Sequence, residues 1–123
     1  MRRYAVTILF LAFFLPGLVF ARTPERAYQE EWCADVGGVV EYTLPDKTRV
    51  DCLTGEYAVE VDFASKWAEA VGQSLYYAEM TGRRPGVLLI LEDEGDLRHL
   101  ERLVVLAKRF GIQVWTTGPG RVD

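Results

Sequence analysis

Apolar and polar positions divide the chain into one uncharged leading block and a series of short periodic segments. Residues 5–20 (AVTILFLAFFLPGLVF) carry no charge. After them, residues 22–35 (RTPERAYQEEWCAD) predict a short helix opening after Thr23-Pro24, with proline in the first turn and Glu25, Glu30 and Glu31 crowded ahead of the Gly37-Gly38 stop. Val39–Leu44 and Thr48–Leu53, joined by Pro45-Asp46-Lys47, have the pattern of a hairpin. Thr54-Gly55 turns the chain into Tyr57–Phe63, where Val59, Val61 and Phe63 alternate with Ala58, Glu60 and Asp62. A period of two places the three apolar residues on one face and both carboxylates on the other. A helix from about Ala64 to Thr81 follows, with Trp67, Val71, Leu75 and Ala78 as its core stripe and Gly82 at its end. Val87–Leu91 is an uninterrupted apolar run, as in a strand buried on both faces. Asp96 is placed to cap a last helix that turns Leu97, Leu100, Leu103, Val104 and Ala107 inward and stops at Gly111, before a final strand over Ile112–Thr116. The order α-β-β-β-α-β-α-β predicts an α/β domain with a central mixed sheet flanked by helices.

The leading block alters the charge count. Arg2-Arg3 precede it, Pro16-Gly17 breaks it, and Val19-Phe20-Ala21 supplies small residues at the −3 and −1 positions, so residues 1–21 have the form of a secretory signal peptide. As an uncleaved anchor, about 17 apolar residues would only just span a bilayer. Without residues 1–21, which hold two Arg and no acid, 12 basic and 18 acidic side chains leave a net charge of −6 on residues 22–123. That length suits one core and one domain. The charge opposes broad attraction to nucleic acid or to an anionic membrane, so phosphate chemistry would need a local site with a metal ion. The two cysteines, Cys33 and Cys52, lack metal or redox spacing and predict a structural disulfide in an oxidising compartment, periplasmic or secreted.

Three acids stand out by position: Asp51 in the second hairpin strand, and Glu60 and Asp62 on one face of the next. Carboxylates on neighbouring strands can converge on a hard cation such as Mg²⁺. Four residues beyond Asp62, Lys66 begins a stripe with Ala70, Gln73 and Tyr77 along the following helix. A lysine beside a metal-carboxylate group is what phosphodiester chemistry would use to neutralise developing charge. Simpler roles fit the same residues: Glu60 and Asp62 as the wet face of a half-buried strand, Lys66 as a solvated first-turn residue, Gln73 and Tyr77 as a surface pair, and His99 as part of a charged helix. No Ser-His-Asp, Cys-His, zinc-ligand or phosphate-loop pattern occurs in the chain.

Asp51, then Glu60-Val61-Asp62 after eight intervening residues, then Gln73-Ser74-Leu75-Tyr76-Tyr77, resembles the PD-(D/E)XK nuclease superfamily. The Gln-x-x-x-Tyr piece is similar to the motif that follows the active site in its RecB-type branch, and the resemblance covers about residues 25–116. It implies a restriction-endonuclease-like core and Mg²⁺ or Mn²⁺ held by Asp51, Glu60 and the Val61 carbonyl. It further implies that Gln73 and Tyr77 support the site and contact substrate, and that Glu31 or Glu30 stands for an extra N-terminal carboxylate. Asp62 occupies the position of the family's lysine, and Lys66 is placed to take over that role, with Asp62 adding a ligand or orienting water.

Two expectations follow. One is an exported Mg²⁺-dependent endo- or exonuclease whose partner is nucleic acid and which has no membrane contact after leader cleavage. The other is a non-catalytic exported protein that keeps the nuclease-like fold as a scaffold or binding module.

Overall fold

The computed structural model describes residues 11–13, 16–17 and 21–121, and the leader read from residues 1–21 falls largely outside them. From Glu25 onward the elements follow the predicted order: α1 Glu25–Asp35, β1 Val39–Thr43, β2 Arg49–Leu53, β3 Tyr57–Phe63, α2 Trp67–Thr81, β4 Arg84–Ile90, α3 Leu97–Phe110 and β5 Gln113–Thr117. Single 3-10 turns at Ala64–Lys66 and Glu94–Asp96 lead into α2 and α3. The strands form one mixed sheet in the order β1-β2-β3-β4-β5, antiparallel from β1 to β3 and parallel from β3 to β5. Short turns join the antiparallel strands, whereas each parallel step needs a helix to carry the chain back.

The two faces of the sheet have different covers. Under α1 lie Cys52, Val59, Val61, Leu88 and Ile90, with Tyr28, Trp32 and Trp115 packed at the margin. Under α2 and α3 lie Val87, Leu89 and Leu91, in contact with Ala70, Val71, Leu103 and Ala107. The run Val87–Leu91 is apolar throughout because β4 is the strand that both covers enclose.

Cys33 and Cys52 are joined in a disulfide, and neither has any exposed surface. The bridge fastens the last turns of α1 to β2. Gly38 lies against it: a Cβ there would come within 2.5 Å of Cys52 Sγ and 2.8 Å of Cys33 Sγ, so only glycine allows the chain to pass this close. Among the described residues, no helix is long and apolar enough to cross a membrane.

Two local expectations change. The buried residues of α2 are Ala70, Val71, Ser74, Tyr77 and Ala78, while Trp67 and Leu75 are only partly covered. Small side chains at the closest approach let the helix sit near the sheet and tip the larger ones outward. Ser74 tolerates complete burial because its hydroxyl donates to the Val71 carbonyl at 3.0 Å. Asp96 makes no capping bond to α3; its Oδ2 accepts from the Glu92 N–H at 2.8 Å, and the 3-10 turn starts the helix instead.

Replacing both cysteines by alanine should cost about 3 kcal/mol, read as a lower guanidinium midpoint. Gly38→Ala should also destabilise the oxidised protein but lose most of its effect in the cysteine-free background, because the atoms it strikes are then gone. Equal costs in the two backgrounds would show that the bridge is not the obstacle.

Candidate functional site

The site is built where β2 leaves β3. These strands pair only through Cys52 with Val59 and Leu53 with Ala58, whereas β2 stays on β1 from Arg49 to Leu53. The antiparallel register sets Asp51 opposite Glu60, one step beyond the last paired residues. In that gap the Asp51 carboxylate replaces the missing ladder partner: its Oδ2 accepts from the Val61 N–H at 2.8 Å. A strand residue turns its N–H and C=O to the same edge, so the Val61 carbonyl also faces the fork. On the other side of β2, Glu41 adopts φ of 55°, a left-handed conformation uncommon for glutamate and suited to a local break in the ladder.

Glu60 and Asp62 point toward the α2 side and are each only 6% exposed. The alternation therefore assigned their face correctly, but that face is not wet. Glu60 Oε2 and Asp62 Oδ2 are buried with no hydrogen-bond partner among the described residues. Burial, and next the neighbouring Asp51 carboxylate, pushes the Glu60 carboxyl far above the usual carboxylate range. The two carboxyls act on each other, and the interaction raises Glu60 and lowers Asp51. Asp51 is itself raised by burial, against the pull of the Val61 N–H. Asp62 is pushed up to about 7, by burial first and then by Glu25 and Asp51, with Lys66 opposing.

Helix α1 contributes Glu25 and Gln29 to this group. Gln29, 3% exposed, donates through Nε2 to the Asp51 carbonyl at 2.9 Å and to Glu41 Oε1 at 3.0 Å. Glu25 comes within hydrogen-bonding reach of Asp62, and its carboxyl is raised by burial and by Asp51. The acids expected from this helix lie elsewhere. Glu30 accepts from Arg26 at the surface, and Glu31 lines a cavity of about 270 Å³ with Trp32 and Thr117. The sequence held a signal for this difference. At 100° per residue, a disulfide-bonded Cys33 turns Gln29 toward the sheet, sets Glu25 within 40° of Gln29 on the side away from Glu30, and points Glu31 away.

Lys66 is exposed at the start of α2, and its charge acts on Asp62 and Glu25. A second cation that the sequence reading missed, Arg49, acts on Asp51 and lies 3.4 Å from Glu41. Tyr77 is buried among Leu44, Val50 and Ala58, and its hydroxyl is raised by burial and then by Glu60 and Asp51. Gln73, one turn earlier, is exposed. His99 is half-buried on α3, with Nδ1 lacking a partner among the described residues.

Among the described residues, no three His, Cys, Asp or Glu side chains converge as a preformed cage for a metal ion. Asp51 and Glu60 nevertheless offer hard oxygen donors from facing positions, and Mg²⁺ is commonly held by one or two carboxylates with waters and substrate oxygens completing its shell. The orphaned Glu60 Oε2 adds a donor atom with no structural partner. The residues thus fit a two-carboxylate cation site. Comparison of the chain with protein-family models, with curated proteins and with solved structures finds no match.

The raised carboxyl of Asp62 has a consequence for stability. An unfolded aspartate titrates near about 4, so the folded chain binds the extra proton between there and about 7. The corresponding stability is full below the lower value and is lost as pH rises through the upper one. The melting temperature of the metal-free protein should therefore fall from pH 4.5 to pH 7.5. Asp62→Asn should weaken that fall and raise stability at pH 8 by about 1 kcal/mol. Destabilisation by Asp62→Asn at pH 8 would instead make this carboxylate a structural support.

Proposed function

We propose that this protein is an exported, Mg²⁺- or Mn²⁺-dependent phosphodiester hydrolase of the PD-(D/E)XK nuclease type, acting on nucleic acid. One observation carries the reading: two buried carboxylates, Glu60 and Asp62, each keep an oxygen with no partner beside Asp51 at the β2–β3 fork. A buried carboxylate without compensation is costly, and an added cation would supply that compensation. The leader pattern and the Cys33–Cys52 bridge support export to the periplasm or beyond the cell.

Asp51, Glu60 and the Val61 carbonyl would hold the ion, which polarises a phosphate oxygen and lowers the pKa of bound water. The chain's own residues supply the rest. Lys66 neutralises charge that develops on the phosphate, and its exposed place at the start of α2 leaves it free to meet substrate. Asp62, whose Oδ2 is unoccupied by any protein donor, orients the attacking water. Tyr77 closes the inner wall beside Glu60. Gln73, exposed on the same helix, contacts the substrate strand.

A scaffold reading is favoured by a separate observation. Asp62 stands where the family's lysine would be, and the whole surface carries a net charge of −6 outside the leader. One assay separates the two. The oxidised protein is incubated with DNA, RNA and bis(p-nitrophenyl) phosphate in Mn²⁺, in Mg²⁺ and in EDTA. Hydrolysis is expected with either metal and not in EDTA. Glu60→Gln should abolish it, and Lys66→Ala should slow it on the order of 100-fold while leaving metal binding intact. Activity unchanged in Lys66→Ala but lost in Glu60→Gln would keep the metal site and dismiss the migrated lysine. No metal-dependent hydrolysis of any of the three substrates would leave the scaffold.

A further inference from the structure

Most cations outside α3 are already engaged. Arg22 pairs with Glu92, Arg26 with Glu30, Arg49 with Glu41 and Arg84 with Glu56, while Arg83 donates to the Thr54 and Gly55 carbonyls. Helix α3 departs from this pattern. Its 14 residues hold Arg98, Arg102, Lys108 and Arg109 against a single acid, Glu101. At 100° per residue, Arg98, Arg102, Val105 and Arg109 fall on one stripe. All four are exposed, and among the described residues no cation of this helix forms a salt bridge. The opposite side packs Leu103 and Ala107 into the core, so the basic stripe faces solvent.

Helix energetics account for only part of this arrangement. Lys108 and Arg109 lie in the last turn, where the helix dipole favours a cation. Arg98 lies in the first turn, where the dipole opposes a cation, just after Asp96 at the start of the helix. We infer that this face of α3 is a binding surface for the phosphodiester backbone of nucleic acid, which gives the acidic chain its attraction for a polyanion. The inference rests on the hydrolase reading for the choice of partner.

The placement suits that role. Helices α2 and α3 follow the parallel strands β3 and β4, so both begin at the same end of the sheet, the end where β3 carries Asp62. Helix α3 packs against α2 and also touches the Ala64–Lys66 turn. A strand held by Arg98 and Arg102 therefore needs to pass only the start of α2 to reach Lys66 and the fork. A membrane is the poorer partner for this stripe. Val105 and Phe110 are the only large apolar side chains exposed on α3, too few for the apolar face of an interfacial helix.

The test is fluorescence anisotropy of the oxidised protein with labelled single-stranded DNA, duplex DNA and RNA, in EDTA so that nothing is cleaved. Contacts from the three cations of the stripe predict a slope of about −2 to −3 in log affinity against log salt. R98E/R102E should weaken binding about tenfold and flatten the slope, since two phosphate contacts become repulsive. The charge-matched variant R26E/K47E, on α1 and the hairpin turn, should do much less. Equal losses in the two variants would mean that net charge alone controls binding, and would overturn the surface, as would preferential binding to anionic phospholipid vesicles. Hydrolysis of bis(p-nitrophenyl) phosphate separates this inference from the one beneath it. Hydrolysis by a protein that fails to bind nucleic acid refutes the α3 surface and keeps the hydrolase. Binding that R98E/R102E destroys, in a protein that hydrolyses no diester, keeps the surface and refutes the hydrolase.

Discussion

The hydrogen bond from the Val61 N–H to Asp51 Oδ2 stands where a ladder bond between β2 and β3 would otherwise run. Around it the chain is tied from several directions. One residue on, Cys52 is bridged to α1 on the opposite face of the sheet. Gln29 of the same helix donates to the Asp51 carbonyl, and Glu41 beside it takes a left-handed backbone and the second Gln29 bond. A fork in a sheet exposes backbone groups that must find partners, and here a side chain and a buried amide provide them. The opening persists because these ties hold β2 on β1 while releasing it from β3.

What the fork encloses is unfavourable to the fold by itself. Glu60 and Asp62 lie under α2 with one oxygen each unsatisfied, and burial holds both carboxyls well above their ordinary range. A strand under selection for stability alone would carry threonine or valine at these positions, as β-propensity and burial both favour. Local cost of this kind concentrates where a protein binds or reacts, because a group without a protein partner is available to something else. The disulfide offsets such a cost in a small domain, where the core alone leaves little margin.

The charges are also separated in space. Acids gather at the fork, with Glu25, Glu41, Asp51, Glu60 and Asp62 acting on one another. Cations without salt bridges gather on α3. A net charge summed over the chain hides this separation. A polyanion repelled by the average charge can still be attracted by one helix, since screening limits each patch to its own surroundings.

Much of the architecture was legible in the linear pattern. Alternation in Tyr57–Phe63 assigned both carboxylates to one face, the apolar run Val87–Leu91 marked the doubly covered strand, and glycines marked the ends of α2 and α3, because these signals depend only on the geometry of a strand or a helix. The hairpin pattern over Val39–Leu53 and the strand pattern over Tyr57–Phe63 likewise placed Asp51 and Glu60 on neighbouring strands. What the sequence left open was decided by packing between elements. Whether the polar face of β3 meets water or a helix depends on where α2 settles, and the small residues Ala70 and Ser74 settle it directly over the sheet. That Glu25 rather than Glu31 joins the group depends on the rotation of α1, which the bridge to β2 fixes. The fork itself has no local signature, because a strand that parts from its neighbour reads the same in sequence as one that does not.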